Sequence, residues 1–392
     1  MSELTTEVRL ARMALRAFRN NNIATNLFYK DLNSEFKNVE AGGIVNVRKP
    51  IKFQSSKGRS AQIQPYSEAT IPVKVDRHRH VAWAQNQIDA TLSRSPEKLY
   101  KDLIEPAMIE IASQVDVELF EMVLDVHNAI GTPGTTPTTF LALAQVAQRM
   151  TEISVPPKRR KFVFNPAAQA SIADALKGTF HEKKVLGFLD EMSIDGLANF
   201  GMHYTTSLPR LTVGVPGGTP RINGANQSGS SIAIDGLSAS GTYKKGDIVT
   251  FASTYDVNPV TRITQTFLKQ FVVTADFTAS GGAGNLSISP EIITSGAYKN
   301  CSQSPANDDL IVHVTSSNCD NNIAFYPDAF AFVSVPIKLP DMDGVGHTET
   351  REGLSVTVTK GWDVKELQMI YRVDFLHGQK PLYPEQAVRL LG

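Results

Sequence analysis

The sequence predicts an α+β protein organised around one long helix, with an extended hairpin before that helix and an all-β module inserted after it. Three observations carry the prediction. Ile104, Met108, Ile111, Val115, Leu119, Met122 and Val126 step by three or four, which draws one apolar stripe along a helix. Extended runs flank a polar stretch between Ile44 and Asp89. Residues 211–320 hold Ser, Thr, Gly or Asn at 45 of 110 positions, carry only 14 charged residues and show no helical stripe.

In chain order, residues 1–40 form an arm. Leu10, Met13, Ala14, Ala17 and Phe18 recur at helical spacing between Arg9, Arg12, Arg16 and Arg19, so the arm helix has a basic face. Residues 1–60 hold 11 Lys+Arg against 5 Asp+Glu. Residues 41–94 read as an outsized hairpin: Ile44 to Arg48 and Ala69 to Asp76, continued by His80 to Trp83, around the polar tip Gln54 to Ser67. A lone hairpin is marginal in water, so this one is expected to need a partner surface.

Ser95-Pro96-Glu97 is a helix start, with Ser as N-cap and Pro at the first helical position. The long helix follows to Val126, with a kink expected at Pro106. Residues 97–126 carry 8 Asp+Glu and 2 Lys, so an acidic spine opposes the basic arm. A pairing of the two, within or between subunits, competes evenly with two unrelated solvated faces. After the break at Gly131 to Gly134 come a helix over Thr138–Thr151, a strand over Arg160–Phe164 that turns at Asn165-Pro166, and a helix over Ala167–Leu176.

Within 211–320 the strand candidates are Ile248–Ala252, Arg262–Phe277, Leu286–Ile288 and Ile311–Val314. Mixed character resumes with Asn322–Tyr326, Ala331–Pro336, Leu354–Thr359 and Met369–Phe375, which makes the β module an insertion.

Composition excludes several classes. With 39 Lys+Arg balancing 39 Asp+Glu, 42% hydrophobic and 20% charged residues, the 392-residue chain is folded and near neutral, with two or three domains. It lacks the overall basic footprint of a nucleic-acid binder. No apolar run spans a membrane, and the polar N-terminus reads as no signal peptide, which places the chain in a cytoplasm. Cys301 and Cys319 show neither metal-ligand spacing nor a disulfide framework.

Phosphate-binding glycine loops, a nucleophile elbow and the HExxH zinc motif are all missing. His78 and His80 share a strand face with Asp76, a conceivable ligand set for which a solvent-facing strand edge is the favoured reading. His181 to Lys184 reads as a charged surface loop, and Asp341-Met342-Asp343-Gly344 as a turn that lacks the other ligands of a calcium loop. Lys52 and Lys57 could enter an isopeptide crosslink, although solvated loop lysines are favoured. No residue is assigned a catalytic, cofactor-binding or metal-binding role, and no enzyme activity is expected.

The order of parts resembles the Hong Kong 97-type fold of tailed-bacteriophage major capsid proteins, and single stretches resemble the branch typified by the phage P-22 coat protein. Leu103-Ile104-Glu105-Pro106-Ala107 running into Ala112-Ser113-Gln114-Val115-Asp116 is similar to that branch's spine helix. Gly187-Phe188-Leu189, Gly196 to Tyr204 and Ser207-Leu208-Pro209 are similar to the passage before its inserted domain. Tyr243 to Ala252 resembles a strand opening of that insertion, and Asn321 to Phe332 resembles the return from it.

The resemblance implies an N-arm (1–40), an E-loop hairpin (41–94), a spine helix with the first part of the P- and A-domains (95–210), an inserted small β-barrel I-domain (211–320) and a returning A-domain and P-domain β segment (321–392). It implies a structural subunit that self-assembles as hexamers and pentamers of an icosahedral shell around double-stranded DNA. Scaffolding protein and portal protein are the implied partners, with a decoration protein as an optional one. DNA contact is expected to be weak and non-specific, with no membrane contact and no cofactor. Candidate assembly contacts are Arg9, Arg12, Arg16 and Arg19 on the arm and Lys52, Lys57, Arg59 and Gln64 at the hairpin tip. Two alternatives remain: a cargo-enclosing nanocompartment of the same fold, and a tail or surface-binding protein that recognises its target through the β module.

Overall fold

The computed structural model describes residues 6–30, 43–53, 55, 58–59, 63, 70–86, 96–176, 199–340 and 346–392. The chain forms two compact units. One comprises Met1–Lys49, Ala69–Phe120 and Phe330–Leu382; the other comprises Pro50–Glu68, Glu121–Ala329 and Tyr383–Gly392.

The first unit begins with helix α1 (Thr6–Asn21) and the single turn α2 (Ala24–Leu27). The buried stripe of α1 is Leu10, Ala11, Ala14, Leu15 and Phe18. Met13 faces outward, so the apolar face is rotated by about a sixth of a turn from the one expected, with Ala11 and Leu15 in place of Met13 and Ala17. Phe18 stacks on Phe375 with ring centroids 4.5 Å apart. Helix α3 (Pro96–Phe120) starts at its proline, as the N-terminal signal predicts, and runs uninterrupted past Pro106. Its α-helical hydrogen bonding stops at Phe120, six residues before the expected end, and Glu121–Asp125 tighten into a 3-10 turn. Every residue of the predicted stripe, Ile104 through Val126, is buried.

The sheet of this unit has the order β1 (Ile44–Arg48), β2 (Thr70–Asn86), β19 (Gln368–Pro381), β18 (Leu354–Asp363), β17 (Gly346–Arg351), with β16 (Phe330–Ser334) also pairing β19. All these pairings are antiparallel. The partner surface that the hairpin is expected to need is supplied at its root by the same chain. Only Thr70–Lys74 pair with β1, whereas Val75 to Asn86 pair with β19, so the hairpin is rooted in a sheet of its own chain. The ladder shifts register between His377 and Gly378. A Cβ on Gly378 would stand 2.3 Å from the Lys74 carbonyl oxygen, so only glycine lets the two backbones approach there.

In the second unit, a body sheet has the order β3 (Ala129–Gly131), β20 (Ala387–Leu391), β15 (Cys319–Phe325), β4 (Arg160–Phe164), β5 (Phe200–Tyr204), and β6 (Arg210–Leu211) pairs β15. Helix α4 (Phe140–Glu152) lays Leu143, Val146 and Met150 on Phe162, Phe164, Phe200 and Leu390. Asn165 Oδ1 accepts the Ala168 N–H at 2.7 Å, which caps α5 (Pro166–Leu176) where the sequence places a turn before a helix.

The inserted segment forms the sheet β14 (Ile311–His313), β10 (Ile248–Val257), β11 (Thr264–Val273), β13 (Gly284–Ile292), β8 (Gly229–Asp235), β7 (Arg221–Ile222), with β9 (Thr242–Tyr243) pairing β12 (Phe277–Thr278). The sheet closes on itself. Ile222 N–H donates to Asp309 at 3.0 Å and Ile311 N–H to Pro220 at 3.0 Å, joining the last strand to the chain entering the first. The expected strand Arg262–Phe277 is split into β11 and β12, because Thr274 to Asp276 leave the ladder. Ile232, Ile234, Tyr243, Phe251, Phe271, Leu286 and Ile311 fill the interior.

Side-chain bonds fasten this module to the body sheet. Gln270 of β11 accepts the Ala129 N–H at 2.7 Å and donates to the Ala129 carbonyl at 2.9 Å. Arg389 of β20 is fully buried and donates to Gly246 at 2.7 Å; burial pulls its guanidinium down to about 10. Cys301 and Cys319 are both buried free thiols, and desolvation pushes Cys301 up to about 11. Among the described residues no helix is long and apolar enough to cross a membrane.

Candidate functional site

The basic residues of α1 are held outward because the opposite helix face is buried. Arg12, Arg16 and Arg19, with Leu15, Asn20 and Asn26, line an open cleft of 760 Å³ whose far wall is Glu349 and Arg351 of β17. Arg12 Nε lies 3.4 Å from Glu349 Oε1, and Arg19 donates to Glu352 Oε2 at 2.5 Å. Arg351 Nε is 3.7 Å from the same Glu352 carboxylate. Burial pushes Lys30 below the usual lysine range, with Glu352 opposing and Arg19 adding to that shift. Three guanidiniums therefore share two carboxylates and Arg16 adds a fourth cation, which leaves a cationic surface of planar donors suited to carboxylates or phosphates. Arg16 also lines a neighbouring groove with Met13, Ala17, Asn20, Ile104 and Glu105.

The expectation that the arm's charges meet the acidic spine is corrected for Arg12 and Arg19. They meet β17 and the turn after it, whose glutamates sequence reading did not single out. The spine instead contributes Glu118 to a separate clamp. Arg79 Nε donates to Glu118 Oε1 at 2.6 Å, Arg77 Nη1 stands 3.8 Å from Oε2, and the fully buried His377 Nε2 is 3.0 Å from Oε2. Burial alone would raise this carboxyl; the bonds and charges of His377 and Arg79 outweigh it and hold Glu118 below the usual glutamate range. Two residues earlier, Asp116 accepts the Ile23 and Ala24 N–H groups at 3.0 and 2.9 Å. Desolvation still pushes it up to about 6.

Of the other site candidates, Arg9 is exposed on α1 but does not line the cleft. At the hairpin tip, Lys52 Nζ lies 6.0 Å from the Tyr298 ring centroid, and Arg59 is exposed. Lys57 and Gln64 lie outside the described residues, as do His181–Lys184 and Asp341–Gly344. The tip also presents Phe53 (65% exposed) and Ile63 (97%), apolar residues that a reading by charge overlooks. Trp362, Val364 and Leu367 are similarly exposed where β18 turns into β19.

His78 and His80 lie on the solvent face of the first unit's sheet, but their carboxylate partner is Asp374 of β19 and not Asp76. The residue directly across an antiparallel pair is nearer than the next same-face residue along the strand. Asp76 is engaged by Lys74 at 3.5 Å.

Three comparisons bear on these surfaces. The family model "P22 coat protein - gene protein 5" matches residues 59–392. No curated protein sequence matches the chain. Among solved structures, one described as Mycobacterium phage Che8 is 13% identical over 94% of this chain and 90% of that one, with a TM-score of 0.51. The asymmetric unit of the bacteriophage PhiM1 mature capsid is 9% identical over 90% and 82%, at 0.47. A virus-like particle from Pyrococcus furiosus is 8% identical over 99% and 100%, at 0.44.

Proposed function

The chain belongs to the P22 coat protein family, and from that membership we propose how its surfaces divide the work of assembly. It is a major capsid protein, a structural subunit whose copies form the phage head shell. The family match over residues 59–392 is the observation that carries this function.

The cleft of Arg12, Arg16, Arg19 and Arg351 is the docking site for an acidic segment, supplied by scaffolding protein or by a neighbouring subunit. The net positive lining and its planar donors support this reading. The hairpin tip, with Lys52, Lys57, Arg59, Gln64 and the exposed Phe53 and Ile63, reaches an adjacent subunit and gains there the burial it lacks in one chain. The domain divisions at residues 40, 94, 210 and 320 follow this scheme, with 211–320 as the I-domain. Assembly takes place in the host cytoplasm around a portal vertex, optionally with a decoration protein, and packaged DNA is touched weakly and without sequence preference.

Negative-stain microscopy of the particulate fraction, with the chain expressed alone and with candidate scaffold, tests the shell function. Closed shells or polyheads of uniform wall are expected, and monomers alone under both conditions would overturn it. Arg16→Glu then tests the cleft. Arg16 is exposed and lines both grooves, so the variant is expected to yield folded monomers that assemble poorly. Normal shells would remove the cleft from the assembly scheme.

A further inference from the structure

We propose that His78, His80 and Asp374 form a divalent-metal site, selective for zinc-like ions, that staples the root of the long hairpin to β19. The register builds it. His80 and Asp374 are directly paired across the β2–β19 ladder, and His78 sits two residues from His80 on the same face. The imidazole rings lie 5.5 Å apart at 24°, and His78 Nε2 is 2.8 Å from Asp374 Oδ1. One ligand atom from each of the three residues falls within 4.8 Å of the others.

Zinc–ligand bonds of about 2.0–2.2 Å require ligand atoms roughly 3.3 Å apart in a tetrahedron, so the site must contract by at most about 1.5 Å. Both histidines are solvent-exposed, so their side chains have room to adjust, whereas Asp374 is buried. Two imidazoles and one carboxylate suit zinc or cobalt better than calcium or magnesium, and water fills the fourth position. On binding, His78 coordinates through Nε2 as the neutral imidazole with its proton on Nδ1, and its contact with Asp374 gives way to coordination.

Arg372 is the competitor. Its Nε lies 2.8 and 3.0 Å from the two Asp374 oxygens. The Arg372 side chain is 43% exposed, so it can turn into water when a metal takes the carboxylate. This competition gives the proposal a signature that ordinary surface histidines lack.

The test is titration of the purified full-length chain with Co²⁺, read by the visible d–d bands of tetrahedral cobalt, followed by displacement with Zn²⁺. One cobalt per chain is expected, with at least about a tenfold loss of affinity in His80→Ala and Asp374→Asn and an unchanged circular dichroism spectrum. Arg372→Gln is expected to bind more tightly because the competing cation is gone. Absence of tetrahedral bands, equal binding by His80→Ala, or weaker binding by Arg372→Gln would each overturn the proposal. Should Asp374→Asn fail to fold, His78→Ala and His80→Ala, both at exposed positions, still decide it.

Discussion

Glu118 offers the most exact test of how this fold holds its hairpin, because one carboxylate on the spine is gripped from two strands. Its side chain is 12% exposed, against 35% for Arg77, 42% for Arg79 and 0% for His377. Glu118→Ala removes the acceptor of the Arg79 hydrogen bond, a charge-assisted contact worth about 1.5–3 kcal/mol, and the carboxylate that lies 3.0 Å from His377 Nε2. The two arginines are open enough to regain water, so much of their share returns. His377 is not, and keeps the cost of an unmet polar atom, about 1–3 kcal/mol. The net expected loss is about 1–3 kcal/mol, the cost of leaving a buried polar group without its partner. Arg77→Ala, at 3.8 Å and partly exposed, should cost under about 1 kcal/mol.

The assay is urea unfolding, with hydrogen exchange at α3 amides to isolate the first unit, since a two-unit chain need not unfold in one step. Acid supplies a second check. The folded Glu118 carboxyl is held below its unfolded value, so its contribution is present above the unfolded pKa and disappears as pH falls through the folded one. The difference between wild type and Glu118→Ala should therefore shrink in acid. A difference below about 1 kcal/mol at neutral pH, or one that does not change with acid, would refute the clamp.

Asp116 behaves in the opposite sense: its folded value, about 6, lies above the unfolded one, so its contribution is largest below about pH 4 and is lost as pH rises through 6. In Asp116→Asn the pH dependence of the urea midpoint should flatten across that window. In the second unit, Lys269 and Asp256 pair at 2.8 Å with side chains 8% and 3% exposed. Asp256→Ala should cost about 3–5 kcal/mol in urea, while replacing both residues by apolar ones should restore most of it. Gly378→Ala forces a Cβ against the Lys74 carbonyl and should lower thermal stability by about 2–4 kcal/mol, in keeping with backbone and overpacking costs. Deleting residues 53–67 should leave a folded monomer that forms no stable shells, scored by sedimentation and microscopy.

Local pattern made much of the fold legible. The stripe from Ile104 to Val126 is buried as its spacing requires, Pro96 opens the spine, and Asn165 caps the helix that follows β4. These features follow from periodicity and capping chemistry, both written within a few residues of one another. Residue composition also separated the β module, since Ser, Thr, Gly and Asn at high density with few charges supply turns and strands but no amphipathic helix. The arm's basic face was legible too, though its buried side was misplaced by about a sixth of a turn because Met13 and Leu15 are equally apolar in sequence.

Only the tertiary structure chose partners. It matched Arg12 to Glu349, more than 330 residues away, gave Glu118 to Arg77, Arg79 and His377, and replaced Asp76 by Asp374 beside the two histidines. It also showed β20, a five-residue strand of wholly buried residues at the C-terminus, running between β3 and β15. A short strand buried on both faces carries no alternation to read. Pairing depends on register and on which faces are buried, and both are set by contacts between segments far apart in the chain. The sequence by itself determined which residues seek the interior and where helices begin; long-range packing decided which charges meet and which are left exposed.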